Sequence, residues 1–310
     1  MSVTISAKDV AALRARTGAG MMDCKQALVE ADGDMSAASD ILRKKGMAKA
    51  EKRAGRAATA GFVYITPADG GASATMVEVN CETDFVANTD EFKGLCADIV
   101  ATAHASASVG ISDVAPEGGI LDAPHAGGTL GEFVKAASAK TGEAVAFRRV
   151  AKFASSDGVV GVYRHFNGLV GAMVELSGAT GPDALDLAKE LALHVSSADP
   201  VAVSPADIAP ELLDRERRIA EEQVAAEGKP EAIRAKIVEG KVKKFAAERA
   251  LLEQPFVKDD KKTIEVVLKE LVSKVGENVQ IRRFVRYELG EGLEKKADNF
   301  AAEVAAMAGG

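Results

Sequence analysis

The chain has 310 residues, 47% of them hydrophobic, with 39 Lys and Arg against 46 Asp and Glu, so it can bury a substantial core and divides into about two or three domains. Its formal charge of −7 disfavours direct RNA or DNA binding, because affinity for the phosphate backbone comes from clustered Lys and Arg that release counterions. Residues 1–6 lack a cationic start leading into an apolar core, and no apolar run approaches the roughly 20 residues that span a bilayer, so neither secretion nor membrane insertion is expected.

The first block predicts three short helices. Ser6 with Asp9 three residues on makes a capping-box start, after which Val10 and Leu13 share a face up to Thr17-Gly18. A second helix is expected over about 21–30, and a third from Asp34, which follows the turn Asp32-Gly33. Ile41 and Leu42 face inward on the third. Arg43, Lys44 and Lys45 suit the negative end of its dipole, and Gly46 is expected to stop it. Residues 1–46 thus form a three-helix domain with little core of its own. Residues 47–60 carry Lys49, Lys52, Arg53 and Arg56 among alanines and read as a basic, solvated helical linker rather than a nucleic-acid contact, given the acidic remainder.

A long repeat follows, whose copies differ in length. The first opens at Gly61-Phe-Val-Tyr-Ile, turns at Asp69-Gly70 and returns through Ala74-Thr-Met-Val-Glu-Val79. The second opens at Gly158-Val-Val-Gly-Val, turns at Asn167-Gly168 and returns through Gly171-Ala-Met-Val-Glu-Leu176. Asp-Gly and Asn-Gly suit tight hairpins, so each copy should open with two antiparallel strands. An amphipathic helix follows in each, marked by Phe92, Leu95, Cys96, Ile99 and Val100, and by Leu187, Leu191, His194 and Val195. A further helix and strand close each copy, ending in Lys140-Thr-Gly-Glu-Ala-Val-Ala-Phe-Arg-Arg149 and Lys274-Val-Gly-Glu-Asn-Val-Gln-Ile-Arg-Arg283.

The closing motifs lie further apart than the hairpins do, so the second copy carries an insertion. It fits residues 211–252, two charged helical stretches joined at Gly228-Lys229-Pro230. Leu212, Ile219, Ile233, Ile237 and Phe245 give it only a thin apolar seam, as in a protruding helical hairpin. The first copy has instead a Gly- and Pro-containing spacer over 110–128, and Thr129 with Glu132 starts its closing helix. The expected fold is α+β, with core subdomains over 61–155 and 156–290 and a last segment over 291–310.

Catalytic signatures are absent from the sequence. There is no phosphate-binding Gly-x-x-x-x-Gly-Lys-Ser/Thr loop, no Gly-x-Gly-x-x-Gly after a strand, no His-Glu-x-x-His and no Gly-x-Ser-x-Gly elbow. No cofactor or metal is expected. His104, His125, His165 and His194 are scattered singly. The cysteines, Cys24, Cys81 and Cys96, are odd in number and lack zinc spacing, so they read as reduced thiols of a cytoplasmic protein. Cys81 beside Glu82 is a poor nucleophile, since neighbouring negative charge raises a thiol pKa.

Three places carry apolar side chains where water is expected. The strand-to-helix connection Asn80-Cys-Glu-Thr-Asp-Phe-Val-Ala-Asn88 holds Phe85 and Val86. Either Phe85 folds back onto the helix that starts near Asp90, or Asp84-Phe85 projects as a wedge for a partner. Met21 and Met22 follow Gly18-Ala-Gly20, and adjacent helical residues cannot both face one core, so one is expected outside. His165-Phe166 sits at the tip of the second hairpin, where burial within the same chain is difficult.

The motifs Leu13-Arg-x-Arg-Thr-Gly-Ala-Gly-Met-Met-Asp-Cys-Lys-x-Ala-Leu28, Val79-Asn-Cys-x-Thr-Asp-Phe-Val-Ala87, Gln254-Pro-Phe-Val257 and Gly290-Glu-Gly-Leu-Glu-Lys295, with the alanine-rich Phe300–Met307 segment, resemble those of bacterial elongation factor Ts, the guanine-nucleotide exchange factors of elongation factor Tu. The resemblance implies a ubiquitin-associated-like N-terminal domain, a core of two duplicated subdomains with antiparallel sheets, a coiled-coil arm and a C-terminal helical module. It implies a protein without covalent chemistry that binds elongation factor Tu in its GDP-bound and nucleotide-free states, with the arm available to pair two copies in a two-to-two complex. By this resemblance Thr83, Asp84, Phe85 and Val86 enter the partner's G domain near its magnesium ion. Arg14, Met21 and Met22 pack on a G-domain helix, His165 touches another partner domain, and Phe300, Val304 and Met307 belong to the module that clasps the G domain.

Overall fold

The computed structural model describes residues 5–106, 111–113, 119–228 and 230–293. Helices α1 (Ala7–Thr17), α2 (Met21–Glu30) and α3 (Met35–Arg53) pack around Val10, Leu13, Cys24, Leu28 and Leu42. The cap signals operate as read. Ser6 and Asp9 bond reciprocally, Gly18 ends α1 in the left-handed region at φ 70°, and the Asp34 carboxylate accepts from Ser36 N and Ala37 N, both at 2.8 Å.

Gly46 does not stop α3, which runs on to Arg53 and takes in half of the basic linker. A helical Gly is only about 1 kcal/mol worse than Ala, so packing decides its use. A Cβ at Gly46 would lie 2.9 Å from the Ala139 Cβ of a later helix. The glycine is there for close approach and not as a terminator.

The first repeat contains β1 (Ala60–Pro67), β2 (Ser73–Cys81), α4 (Asp84–Ala87), α5 (Asp90–Ala105), β3 (Ile111–Asp113), β4 (Pro124–His125), β5 (Gly128–Thr129), α6 (Leu130–Thr141) and β6 (Ala146–Ala154). Its main sheet is antiparallel in the order β1-β2-β6-β3. The second contains β7 (Gly158–Arg164), β8 (Val170–Ser177), α7 (Pro182–Ala198), α8 (Pro210–Ala226), α9 (Glu231–Arg249), β9 (Pro255–Phe256), β10 (Asp259–Thr263), α10 (Ile264–Val275) and β11 (Gln280–Glu288). Its sheet, β7-β8-β11, reproduces β1-β2-β6. Strand β3 falls in the spacer, where the sequence reading expected only loop.

The hairpin connections, residues 68–72 and 165–169, are longer than two-residue turns. Positive φ falls on Gly70, Gly71 and Gly168, whereas Asp69 and Asn167 stay outside that region. The glycines alone supply the left-handed backbone.

The repeats pack together through equivalent side chains, with Val63, Met76 and Phe153 of one sharing a buried cluster with Val160, Met173 and Tyr287 of the other. Arg149 lies over the Tyr287 ring, 4.0 Å from its centroid, and Arg283 lies over Phe153 at 4.2 Å. These arginines also close a second duplicated device. Glu78 on β2 and Glu175 on β8 are fully buried, and each meets an Arg pair on its neighbouring strand. Glu78 binds Arg148 at 2.9 Å and Arg149 at 2.6 Å; Glu175 binds Arg282 at 3.4 Å and Arg283 at 2.6 Å. A β-bulge at Arg148, and its equivalent at Arg282, puts two consecutive arginines opposite one carboxylate.

The inserted hairpin exists as α8 and α9, but its seam is phased differently from the reading. Ala220, Val224, Val238 and Val242 are buried with Leu213 and Ile237 against them, while Leu212, Ile219 and Ile233 are exposed. His194, on the buried face of α7, packs against the Gln254-Pro-Phe-Val257 segment. Val257 N donates to its Nδ1 at 3.2 Å, so the ring's own proton is on Nε2 and is donated to Gln254 Oε1 at 2.9 Å. Burial pushes the imidazole below its ordinary pKa, partly opposed by the Gln254 bond. That sequence motif therefore ties the second core together.

Candidate functional site

The connection from β2 to α5 is fixed by its ends. Glu143, just past α6, spreads its carboxylate over three donors: Glu82 N at 3.1 Å, Thr83 N at 3.0 Å and Thr83 Oγ1 at 2.6 Å. Glu82 returns the arrangement by accepting from Ala144 N at 2.6 Å. Thr83 Oγ1 in turn accepts from Val86 N and caps the single turn α4. Asn88 Nδ2 donates to Asp84 O and Thr89 Oγ1 to Val86 O, while Thr89 caps α5.

Within one turn of helix, Val86 packs against the first core and Phe85 points away from it. Phe85 is 84% exposed, which rejects the fold-back alternative. Burying a Phe side chain is favourable by roughly 1.5–3 kcal/mol, and here a braced loop forgoes that gain. Asp84 is exposed beside it.

Other positions are distributed over the surface. Met21 and Met22 are 57% and 75% exposed, so both lie outside, where the sequence reading expected one. They open α2, whose buried face is carried by Cys24, Ala27 and Leu28. Arg14 is exposed on α1. His165 is half-buried, sharing a 3.0 Å hydrogen bond with Tyr163 Oη, and its ring centroid lies 4.5 Å from that of Phe166. Phe166 is 91% exposed. The hairpin tip is tied to the first repeat, because Val63 N donates to Gly168 O at 2.8 Å. Phe300, Val304 and Met307 lie outside the described residues.

Glu143 was missed as a site residue by the sequence reading. Its only signal is the Gly-Glu pair that the two closing motifs share at 142–143 and 276–277.

Cys81 adjoins this loop but is unsuited to nucleophilic chemistry. It is buried and donates to Thr83 O at 3.2 Å. Burial, with the Glu143 and Asp84 charges, pushes its thiol up to about 12 against opposing backbone hydrogen bonds. Cys24 and Cys96 are buried too. Iodoacetamide at pH 7.5 is therefore expected to leave all three unmodified in the native protein and to label them in urea, read by intact mass; rapid native labelling at Cys81 would contradict this. Among the described residues no cluster of three His, Cys, Asp or Glu is placed to hold a metal ion, and no helix is long and apolar enough to cross a membrane.

A chain with a duplicated sheet, an inserted helical hairpin and a projecting Asp-Phe turn can be set beside known proteins. The family described as Elongation factor TS matches residues 82–291. The chain is 46% identical over 310 residues to elongation factor Ts of Thioalkalivibrio sulfidiphilus, covering 99% of this chain and 100% of that protein. It is 45% identical to elongation factor Ts of Symbiobacterium thermophilum and 43% identical to that of Nitratiruptor sp., with 98% of this chain covered in both and 98% and 99% of the relatives. Similarity of this extent, running through the Phe85 loop and both repeats, makes the chain a member of the elongation factor Ts family.

Proposed function

We propose that this protein binds elongation factor Tu carrying GDP and accelerates release of the nucleotide, leaving a complex that GTP resolves. The supporting observation is Phe85, exposed on a turn whose backbone is pinned by Glu143. A free aromatic on a mobile loop would lose conformational entropy on insertion; on this turn that cost is largely met before the partner arrives.

Magnesium bridges phosphate oxygens to a G protein and neutralises their charge, so disturbing its surroundings weakens the hold on GDP. Phe85 cannot ligate a metal. Its role is to part side chains of the partner, while the exposed Asp84 competes within the polar network around the ion. Thr83 and Val86 hold the turn to its own core. Met21, Met22 and Arg14 on the three-helix unit, and His165 on the second hairpin, add contacts that make the loop's entry favourable, and Phe300, Val304 and Met307 complete the grip.

No bond is made or broken in this scheme. Linkage requires that a factor which loosens GDP be loosened by incoming nucleotide to the same degree. A coupling of several kcal/mol corresponds to an affinity change above about 10³-fold, which is why contacts from separate parts of the chain are needed. The test is release of fluorescent GDP from elongation factor Tu with and without the full chain. Stimulation that saturates with concentration is expected. Binding without stimulation would leave a passive scaffold instead.

A further inference from the structure

The three-helix unit sits against the first repeat through an unusually close contact. Gly46 of α3 faces Ala139 of α6, where an added Cβ would approach the Ala139 Cβ to 2.9 Å. Such a separation is too short for two methyl-sized groups without movement of a helix. Seven residues further along α3, Arg53 Nη1 donates to Ser138 O at 3.4 Å. At the other side of the contact, a Cβ at Gly18 would meet the Lys140 methylenes at 3.0 and 3.2 Å. Lys140 also pairs with Glu91 in the first turn of α5.

Lys140 thus stands between the loop that leads into Met21 and the helix that follows the Phe85 turn. The ion pair itself is half-exposed and contributes little, and the Lys140 side chain can move aside; the close fit of Gly46 on Ala139 fixes the arrangement. We infer that Gly46 and Ala139 are positioning residues that lock the three-helix unit onto α6, so that Met21 and Met22 reach a partner in fixed geometry with Phe85. This rests on the exchange reading. Two contacts held on one rigid body bind with the advantage of high effective concentration, and a unit that swings free loses it.

The discriminating variant is Gly46→Ala. Alanine is the better helix former, so a role confined to α3 itself predicts an improved or unchanged protein. The docking role predicts the opposite: the concentration giving half-maximal GDP release rises about tenfold while the maximal rate and the far-UV circular dichroism stay as in the parent chain. The exchanged pair Gly46→Ala with Ala139→Gly restores the volume of the contact and should return half-saturation to within about twofold of the parent. In the parent, 15N relaxation should give residues 7–53 the same tumbling time as residues 60–106. A Gly46→Ala protein with parental half-saturation, a swap that leaves the defect in place, or independent tumbling of 7–53 in the parent would each overturn the inference. A parent chain that fails to stimulate release would count against the exchange reading alone, since the relaxation measurement needs no partner and decides the docking by itself.

Discussion

Phe85→Ala is expected to lower the maximal rate of GDP release from elongation factor Tu by roughly thirtyfold or more, while the protein keeps its parental unfolding midpoint. Truncating an aromatic hot spot costs about 2 kcal/mol or more, and ~1.4 kcal/mol is a factor of ten. The folded chain loses nothing comparable, because Phe85 is 84% exposed and a surface substitution of this kind changes stability by about 0.5 kcal/mol or less. The effect should appear in the maximal rate and not in half-saturation, since the contacts proposed for the three-helix unit and the second hairpin are left in place. Glu143→Ala tests the bracing separately: three donors lose their acceptor, the turn loosens, and the rate falls although Phe85 is still present. Cys81→Ala should leave the rate within about twofold, since the thiol is buried and protonated. An unaltered rate in Phe85→Ala would remove the wedge from the mechanism.

What the sequence disclosed here follows the range of the forces involved. Caps at Ser6, Asp34 and Thr129 act over three residues and are visible in any short window, as are the Asp-Gly and Asn-Gly pairs that mark the two hairpins. The apolar face of α7, including His194, was legible for the same reason. Gly46 was misread because a glycine used for helix contact and one used as a stop look alike until the neighbouring helix is placed. The arm's seam shifted from Leu212 to Leu213 because a charged helix with few apolar residues leaves its buried face to be chosen by its partner. Phe85 was ambiguous between two orientations, and the deciding partner, Glu143, lies far along the chain in a motif that carried no chemical signature.

The same distance effect hid the duplicated carboxylates, although Glu78, Glu175 and both Arg pairs stood in the repeat motifs. Their pairing depends on a bulge that sequence alone does not reveal. The two copies should respond very differently to one substitution. Glu78 is surrounded on all sides: besides Arg148 and Arg149 it accepts from Gly290 N at 2.9 Å and Asn80 Nδ2 at 3.1 Å, and Arg149 Nη2 continues to Glu288 O at 2.8 Å. Its arginines are 24% and 13% exposed, against 55% and 42% for those of Glu175. Removing one partner of a buried pair strands the other charge, which costs roughly 3–5 kcal/mol. Glu78→Ala should destabilise by that amount in urea unfolding, whereas Glu175→Ala, whose arginines can turn to water, should cost roughly 1–3 kcal/mol. Equal losses would show that solvent access to the arginines is not what sets the cost. Acid adds an independent check. Burial alone would raise the Glu78 pKa, but the Gly290 N–H, the Arg149 charge and the bonds from Arg148 and Asn80 outweigh it and hold the carboxyl below its ordinary value. A carboxyl depressed on folding contributes stability that is present above its unfolded-state pKa and is lost as pH falls through the folded-state one. The parent chain should therefore lose stability on acidification through and below the ordinary carboxylate range, and Glu78→Gln, starting lower, should show a shallower slope there. An identical slope in the two proteins would place the acid sensitivity at other carboxylates.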